Sequence, residues 1–163
     1  MNEQSRSARK LQEPDIGILA ARVLHRFQRT MFRRLADEDF DDLRPQHGAV
    51  LAHLDEEGSR AVDLSQRSGA HKQVVSKLVE ELELLGYVTR QPDPADRRAK
   101  LIVPTERGLR QMRRSDEIAA GIEAEFRDLI GSEPFTILKS DLQRLVARAA
   151  EPGTAGEASR GTR

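Results

Sequence analysis

SGAHKQVVSKLVEELELLGYV, residues 68–88, is the stretch on which the fold turns. At 100° per residue, Val74, Val75, Leu78, Val79, Leu82 and Leu85 gather on one side of a helix. Lys72, Gln73, Ser76 and Lys77 gather on the other side within the first two turns, and Glu80 and Glu83 then reverse the charge of that face. Phosphates repel carboxylates, so only the N-terminal half of this helix is suited to a DNA groove. The second helix of a helix-turn-helix docks in that way, with its first turns on the base edges. By itself the stretch reads equally well as an ordinary amphipathic surface helix.

The residues that follow tip the balance. Gly86 suits the position just past a helix end, YVTRQ (87–91) is rich in strand formers, and AKLIVP (99–104) supplies a returning strand. Between them PDPADRR (92–98) makes a turn that ends in adjacent arginines. A hairpin tip does not need two arginines in order to fold. Arginine at such a tip suits the negative potential of a narrow minor groove. A helix for the major groove followed by a basic hairpin for the flanking minor groove is a winged helix-turn-helix.

GYVTRQPDPADRRAKLIVPTERG (86–108) resembles the wing signature of the MarR family of transcriptional regulators. AVDLSQRSGAHKQVVSKLVEELELLG (61–86) resembles that family's helix-turn-helix, and with the flanking helices the likeness spans roughly 14–150. The resemblance implies an obligate homodimer on a pseudo-palindromic operator, often released by a small aromatic or oxidant signal. It also implies that Asp96 orients the wing tip, that Arg97 enters the minor groove and that Arg98 lies nearby on phosphate. Lys72, Gln73, Ser76 and Lys77 fall on the family's base- and phosphate-reading positions. Two departures stand out: His71 where Ser or Thr usually caps the reading helix, and His47 where Gln is common early in the second helix.

The expected architecture is mainly α with a small β component (α+β), a winged helix-turn-helix over 43–103 in a single domain. Dimerisation helices are expected at 14–36 and 105–150, with flexible tails at 1–13 and 151–163. The first helix starts near Pro14 or Asp15 and carries Ile16, Leu19, Val23, Leu24, Phe27, Met31 and Leu35 at helical spacing. Pro45 opens a second helix, to about Leu54, that is apolar nearly all round. Ser59 is placed to cap a third over 60–67, and Thr105 a long one with its stripe on Leu109, Met112, Ala119, Ile122, Phe126 and Leu129. A last helix begins at Ser132. The long terminal helices carry more apolar surface than a winged helix needs, and a second copy is the simplest cover.

Composition excludes several classes. With no cysteine there is no thiol redox chemistry, disulfide or thiolate zinc site. No stretch approaches the ~18 apolar residues of a membrane span, and no signal peptide is visible, so the cytoplasm is the expected location. Net charge is zero. Acids nonetheless cluster at Asp37, Glu38, Asp39, Asp41 and Asp42, read here as a solvated loop, while basic residues dominate Arg90–Arg114.

No nucleophile elbow, phosphate-cradling glycine loop or metal-binding histidine pattern occurs, so no enzyme activity, cofactor or metal is expected. His25 on the first helix and His47 on the second could line a cleft under the reading head. There His47, with Arg29, would meet an anionic aromatic effector. The plainer reading of each is a structural histidine. The competing function is a winged-helix protein–protein module without DNA binding, which would have no use for Arg97 and Arg98 beside Lys72 and Lys77.

Overall fold

The computed structural model describes residues 5–96 and 98–149. Helix α1 (Arg6–Gln12) precedes α2 (Ile16–Ala36). Residues 6–12 had been expected as flexible tail, and 1–4 and 151–163 lie outside the described residues. Asp15 starts α2 by accepting the Ile18 N–H at 3.0 Å, so the helix begins where its first orphan amide finds a carboxylate.

The second helix is shorter than its apolar run suggested. A 3₁₀ turn at Pro45–His47 leads into α3 (Gly48–Leu51), and the chain then tightens, His53 N–H reaching Val50 O at 3.0 Å. Ser59 does not cap the next helix. It lies in a short strand, β1 (Ser59–Arg60), paired with Ile102, while its hydroxyl donates to Asp55 and accepts the Asp55 N–H. Helices α4 (Ala61–Ser68) and α5 (Lys72–Leu84) follow, joined through Gly69 at φ +70°, a left-handed turn that glycine adopts without strain.

Strands β2 (Val88–Pro92) and β3 (Lys100–Pro104) form the expected hairpin, and β1 adds a third strand on the far edge of β3. All pairings are antiparallel, with Arg90 opposite Ile102 and Arg60 opposite Leu101. Val75, Leu78, Val79 and Leu82 of α5 pack with Val50, Leu64, Tyr87, Val88 and Ile102 in the core. Each fully buried aliphatic side chain contributes about 1.5–3 kcal/mol. Val74, grouped with this face by helical periodicity, is 48% exposed at the front of α5.

Helix α6 (Glu106–Ile130) starts where Thr105 Oγ1 accepts the Gly108 N–H at 3.2 Å, as its sequence predicted. Its buried positions are Gly108, Gln111, Ile118 and Ile122, so the covered face lies beside the stripe expected on Leu109, Met112 and Ala119. The chain divides into two compact units, Met1–Ile122 and Glu123–Arg163. In the second, α7 (Ser132–Ala149) buries Phe135 under the Arg127 guanidinium, 5.3 Å from the ring centre, and Lys139 pairs with Glu123 at 2.7 Å. Ile137, Leu138, Leu142, Leu145 and Val146 remain exposed. No described helix is long and apolar enough to cross a membrane.

Gly108 is the tightest point of the first unit. A Cβ there would stand 2.1 Å from the Tyr87 carbonyl oxygen, which already accepts the Thr105 N–H at 2.9 Å. Gly108→Ala should therefore force α6 off the hairpin and lower stability by about 1–3 kcal/mol, the usual cost of overpacking. Urea unfolding at one fixed protein concentration measures this; an unchanged midpoint would show that the contact relaxes freely.

Candidate nucleic-acid interface

Helix α5 presents its first turns to solvent. The Lys72 and Gln73 side chains are exposed and make no hydrogen bond among the described residues, and Lys77 is 78% exposed, 3.9 Å from Glu81. Ser76 is half-buried at the edge of the same face. His71 occupies the extended cap position without any side-chain cap bond, so the first amides of α5 are not satisfied by a capping side chain. Together with exposed Val74, which sequence reasoning had assigned to the core, this makes a surface of ammonium, amide, hydroxyl and methyl groups. Ammonium groups match phosphate oxygens, amide and hydroxyl groups match base edges, and methyl groups match the thymine methyl.

The acids further along α5 are turned to internal use. Arg90, on β2, donates to Glu83 at 2.6 Å and lies 3.9 Å from Glu80. Glu83 also accepts the Arg90 N–H at 3.3 Å, so the reading helix and the wing are clamped together by one residue. Glu81 accepts from Gln46 at 3.1 Å and from His47 at 3.2 Å. Those two bonds, His47 first, hold its carboxyl below the usual range.

The wing tip is built by two aspartates. Asp96 Oδ1 accepts the Arg98 N–H at 3.0 Å, the local turn-making bond of an aspartate, which leaves the Arg98 side chain exposed. Arg97 lies outside the described residues. Asp93, absent from the sequence-based site, is buried where the two strands give way to the tip loop. It accepts the Ala95 N–H at 2.8 Å and the Arg60 Nε–H at 2.6 Å, with Arg60 Nη2 also paired to it. The Ala95 amide first, then Arg60, keeps the Asp93 carboxyl charged below the usual carboxylate range. The clue available in the sequence was a second aspartate three residues before Asp96, with an arginine entering α4.

In the acidic stretch 37–42, Asp37, Asp39 and Asp41 are exposed as in a solvated loop, but Asp42 and Glu38 are paired. Asp42 accepts the Tyr87 hydroxyl at 2.5 Å and pairs with Arg107 at 3.0 Å, while Glu38 pairs with Arg114. Arg107 also lies 4.3 Å over the Tyr87 ring and donates to Leu85 O at 2.7 Å. Two arginines expected beside a phosphate path are thus paired with carboxylates of the same chain, whereas Arg110 and Arg113 stay exposed.

A cleft of about 800 Å³ opens between α2, the turn into α3 and the start of α6. None of the expected effector residues lines it. His25 and Arg29 are exposed on α2. His47 is 2% exposed: its Nδ1 accepts the Arg44 N–H at 3.0 Å, which leaves Nε2–H to donate to Glu81. Both ring nitrogens are satisfied, so His47 is a strut between the second helix and α5. His53, Gln111 and Asp116 line the cleft instead. Among the described residues, no group of three or more His, Asp or Glu is placed to hold a metal ion.

A model of the MarR family matches residues 41–99. The transcriptional regulator HosA of Escherichia coli O111:H- is 26% identical over 93 residues, covering 57% of this chain and 69% of its own. Among solved structures, CouR of Rhodococcus jostii RHA1 bound to p-coumaroyl-CoA is similar with a TM-score of 0.67 at 28% identity, over 81% of this chain and 92% of that one. The transcriptional repressor CouR bound to a 23-mer DNA duplex shares the fold, with a TM-score of 0.69 at 23% identity over 84% and 95% of the two chains.

The Arg60–Asp93 pair makes a test of wing geometry. Arg60→Ala and Asp93→Asn should each weaken duplex binding by about three- to thirtyfold, and the double variant no more than either single one, as for partners in one network. Because the folded carboxyl titrates below its ordinary range, the contribution is full above that range and fades as pH falls through the lowered value. Additive losses in a gel-shift cycle would dissociate the pair from the wing's function.

Proposed function

We propose that the chain is a MarR-family transcriptional regulator that works as a homodimeric repressor on a pseudo-palindromic DNA operator, released by a small-molecule effector. The observation that carries the DNA-binding reading is the exposed cationic front of α5 held to the wing by Arg90, Glu83 and Glu80. Lys72, Gln73, Ser76 and Lys77 enter the major groove, with Gln73 suited to adenine and Val74 to a thymine methyl. Asp96 shapes the tip, Arg97 takes the flanking minor groove and Arg98 a phosphate.

The homodimer reading rests on apolar faces left open in each unit. On α2, Ile16, Leu19 and Val23 are 72%, 44% and 56% exposed; on α7, Leu145 and Val146 are 62% and 71% exposed. Faces of this kind mark a contact surface, and a two-fold pairing with a second copy would set two reading helices about 34–36 Å apart. The effector reading rests on the cleft beside α3. Gln46 lines that cleft and bonds Glu81 of α5, so an occupant touches a residue attached to the reading helix.

Gel shifts with the intergenic DNA beside the protein's own gene test the assignment. Arg97→Ala should cost about 1–3 kcal/mol of operator binding, like other single specific contacts. Lys77→Ala should weaken binding on all sequences and reduce the salt slope by about one. Equal binding by wild type and Arg97→Ala would remove the minor-groove role, and a monomer in sedimentation would remove the dimer.

A further inference from the structure

The cleft is mainly apolar, with His53 and Asp116 as the titratable groups that line it. Its walls are apolar side chains such as Phe27, Met31, Leu54 and Met112, and its volume of about 800 Å³ suits a drug-sized molecule. No lysine or arginine lines it, and the one carboxylate that does, Asp116, is exposed at its edge. Gln111 reaches it from the covered face of α6 and is 3% exposed. Its Nε2 donates to Ser115 Oγ at 2.6 Å, while Oε1 has no hydrogen-bond partner. A buried acceptor in that state gains from any donor brought against it. A carboxylate or phosphate would instead set acceptor against acceptor, next to a like charge.

We propose that the cleft selects apolar or aromatic ligands that carry an N–H or O–H donor and no negative charge, with Gln111 as the acceptor that fixes specificity and Asp116 as the group that turns anions away. This rests on the cleft being the effector site. It replaces the anionic effector expected from His47, Arg29 and His25, none of which lines the cleft. Gln111 distinguishes ligands strongly because a site built around a hydrogen bond penalises an analogue that cannot make it.

Calorimetric titration of the full chain with four probes on one frame tests the assignment: 2-naphthamide, 2-naphthylmethylammonium, 2-naphthoate and 2-methoxynaphthalene. The amide and the ammonium should bind at least about tenfold tighter than the naphthoate, the equivalent of one decade in Kd. Gln111→Leu should lower amide affinity about three- to tenfold, the worth of one net hydrogen bond, and leave 2-methoxynaphthalene unchanged or tighter. Asp116→Asn, at an exposed position, preserves the fold and should narrow the gap between ammonium and amide while improving naphthoate. Naphthoate binding as tightly as the amide, or amide affinity equal in wild type and Gln111→Leu, overturns the proposal. If naphthoate alone binds and releases the operator, the cleft stands as the effector site and only its selectivity was misassigned. If no probe binds while the operator is still held, the effector reading falls too, and DNA binding survives it.

Discussion

Tyr87 is held at both ends, and the placement of the reading helix depends on it. Its buried hydroxyl donates to Asp42, and Arg107 lies over its ring and pairs with the same carboxylate. Its carbonyl accepts the N–H and hydroxyl of Thr105, and Gly108 passes close against it. One residue therefore joins the loop after α2, the end of α5, the root of the wing and the first turn of α6. Burial first, and the Asp42 carboxylate next, push the phenol well above its ordinary pKa, so it remains a donor at any physiological pH. With the hydroxyl paired, the aromatic ring adds its full apolar burial without leaving a polar group unsatisfied.

Zero net charge and a polyanion partner are compatible because of how the charges are distributed. Carboxylates near the reading surface are occupied: Glu80 and Glu83 by Arg90, Glu81 by His47 and Gln46, Asp93 by Arg60. Lys72, Lys77 and Arg98 keep their side chains in solvent. Potential at a surface follows such local imbalance and not the sum over the chain. The same pairings set geometry, since Arg90 joins the wing to α5 and Arg60 joins β1 to the start of the wing's tip loop.

The cleft and the reading helix meet at consecutive residues. Gln46 borders the cleft and donates to Glu81, and His47 behind it donates to the same carboxylate. The 3₁₀ turn at Pro45–His47 is thereby bonded to the middle of α5. A packed interior transmits displacements because it has little free volume in which to absorb them.

Much of this was readable in the residues. The α5 periodicity, the glycine after it, the aspartates of the wing turn and the Thr105 cap all act within a few positions of one another, and local rules describe them. Gln111 was half-legible: Gly108, Gln111, Ser115, Ile118 and Ile122 have helical spacing, but a polar residue in the seam directs the eye to the neighbouring Leu109, Met112 and Ala119. Val74 was assigned inward because periodicity gives angles and not the edge of the covered face. The chain by itself determined helix, turn and hairpin, since each is set by hydrogen bonds between near neighbours. Only the tertiary structure decided which charges remain free, where His47 is satisfied and what lines the cleft, because Asp42 with Tyr87, Glu38 with Arg114 and His47 with Glu81 are pairs separated by 45, 76 and 34 positions. No local pattern encodes which of many acids each base will meet.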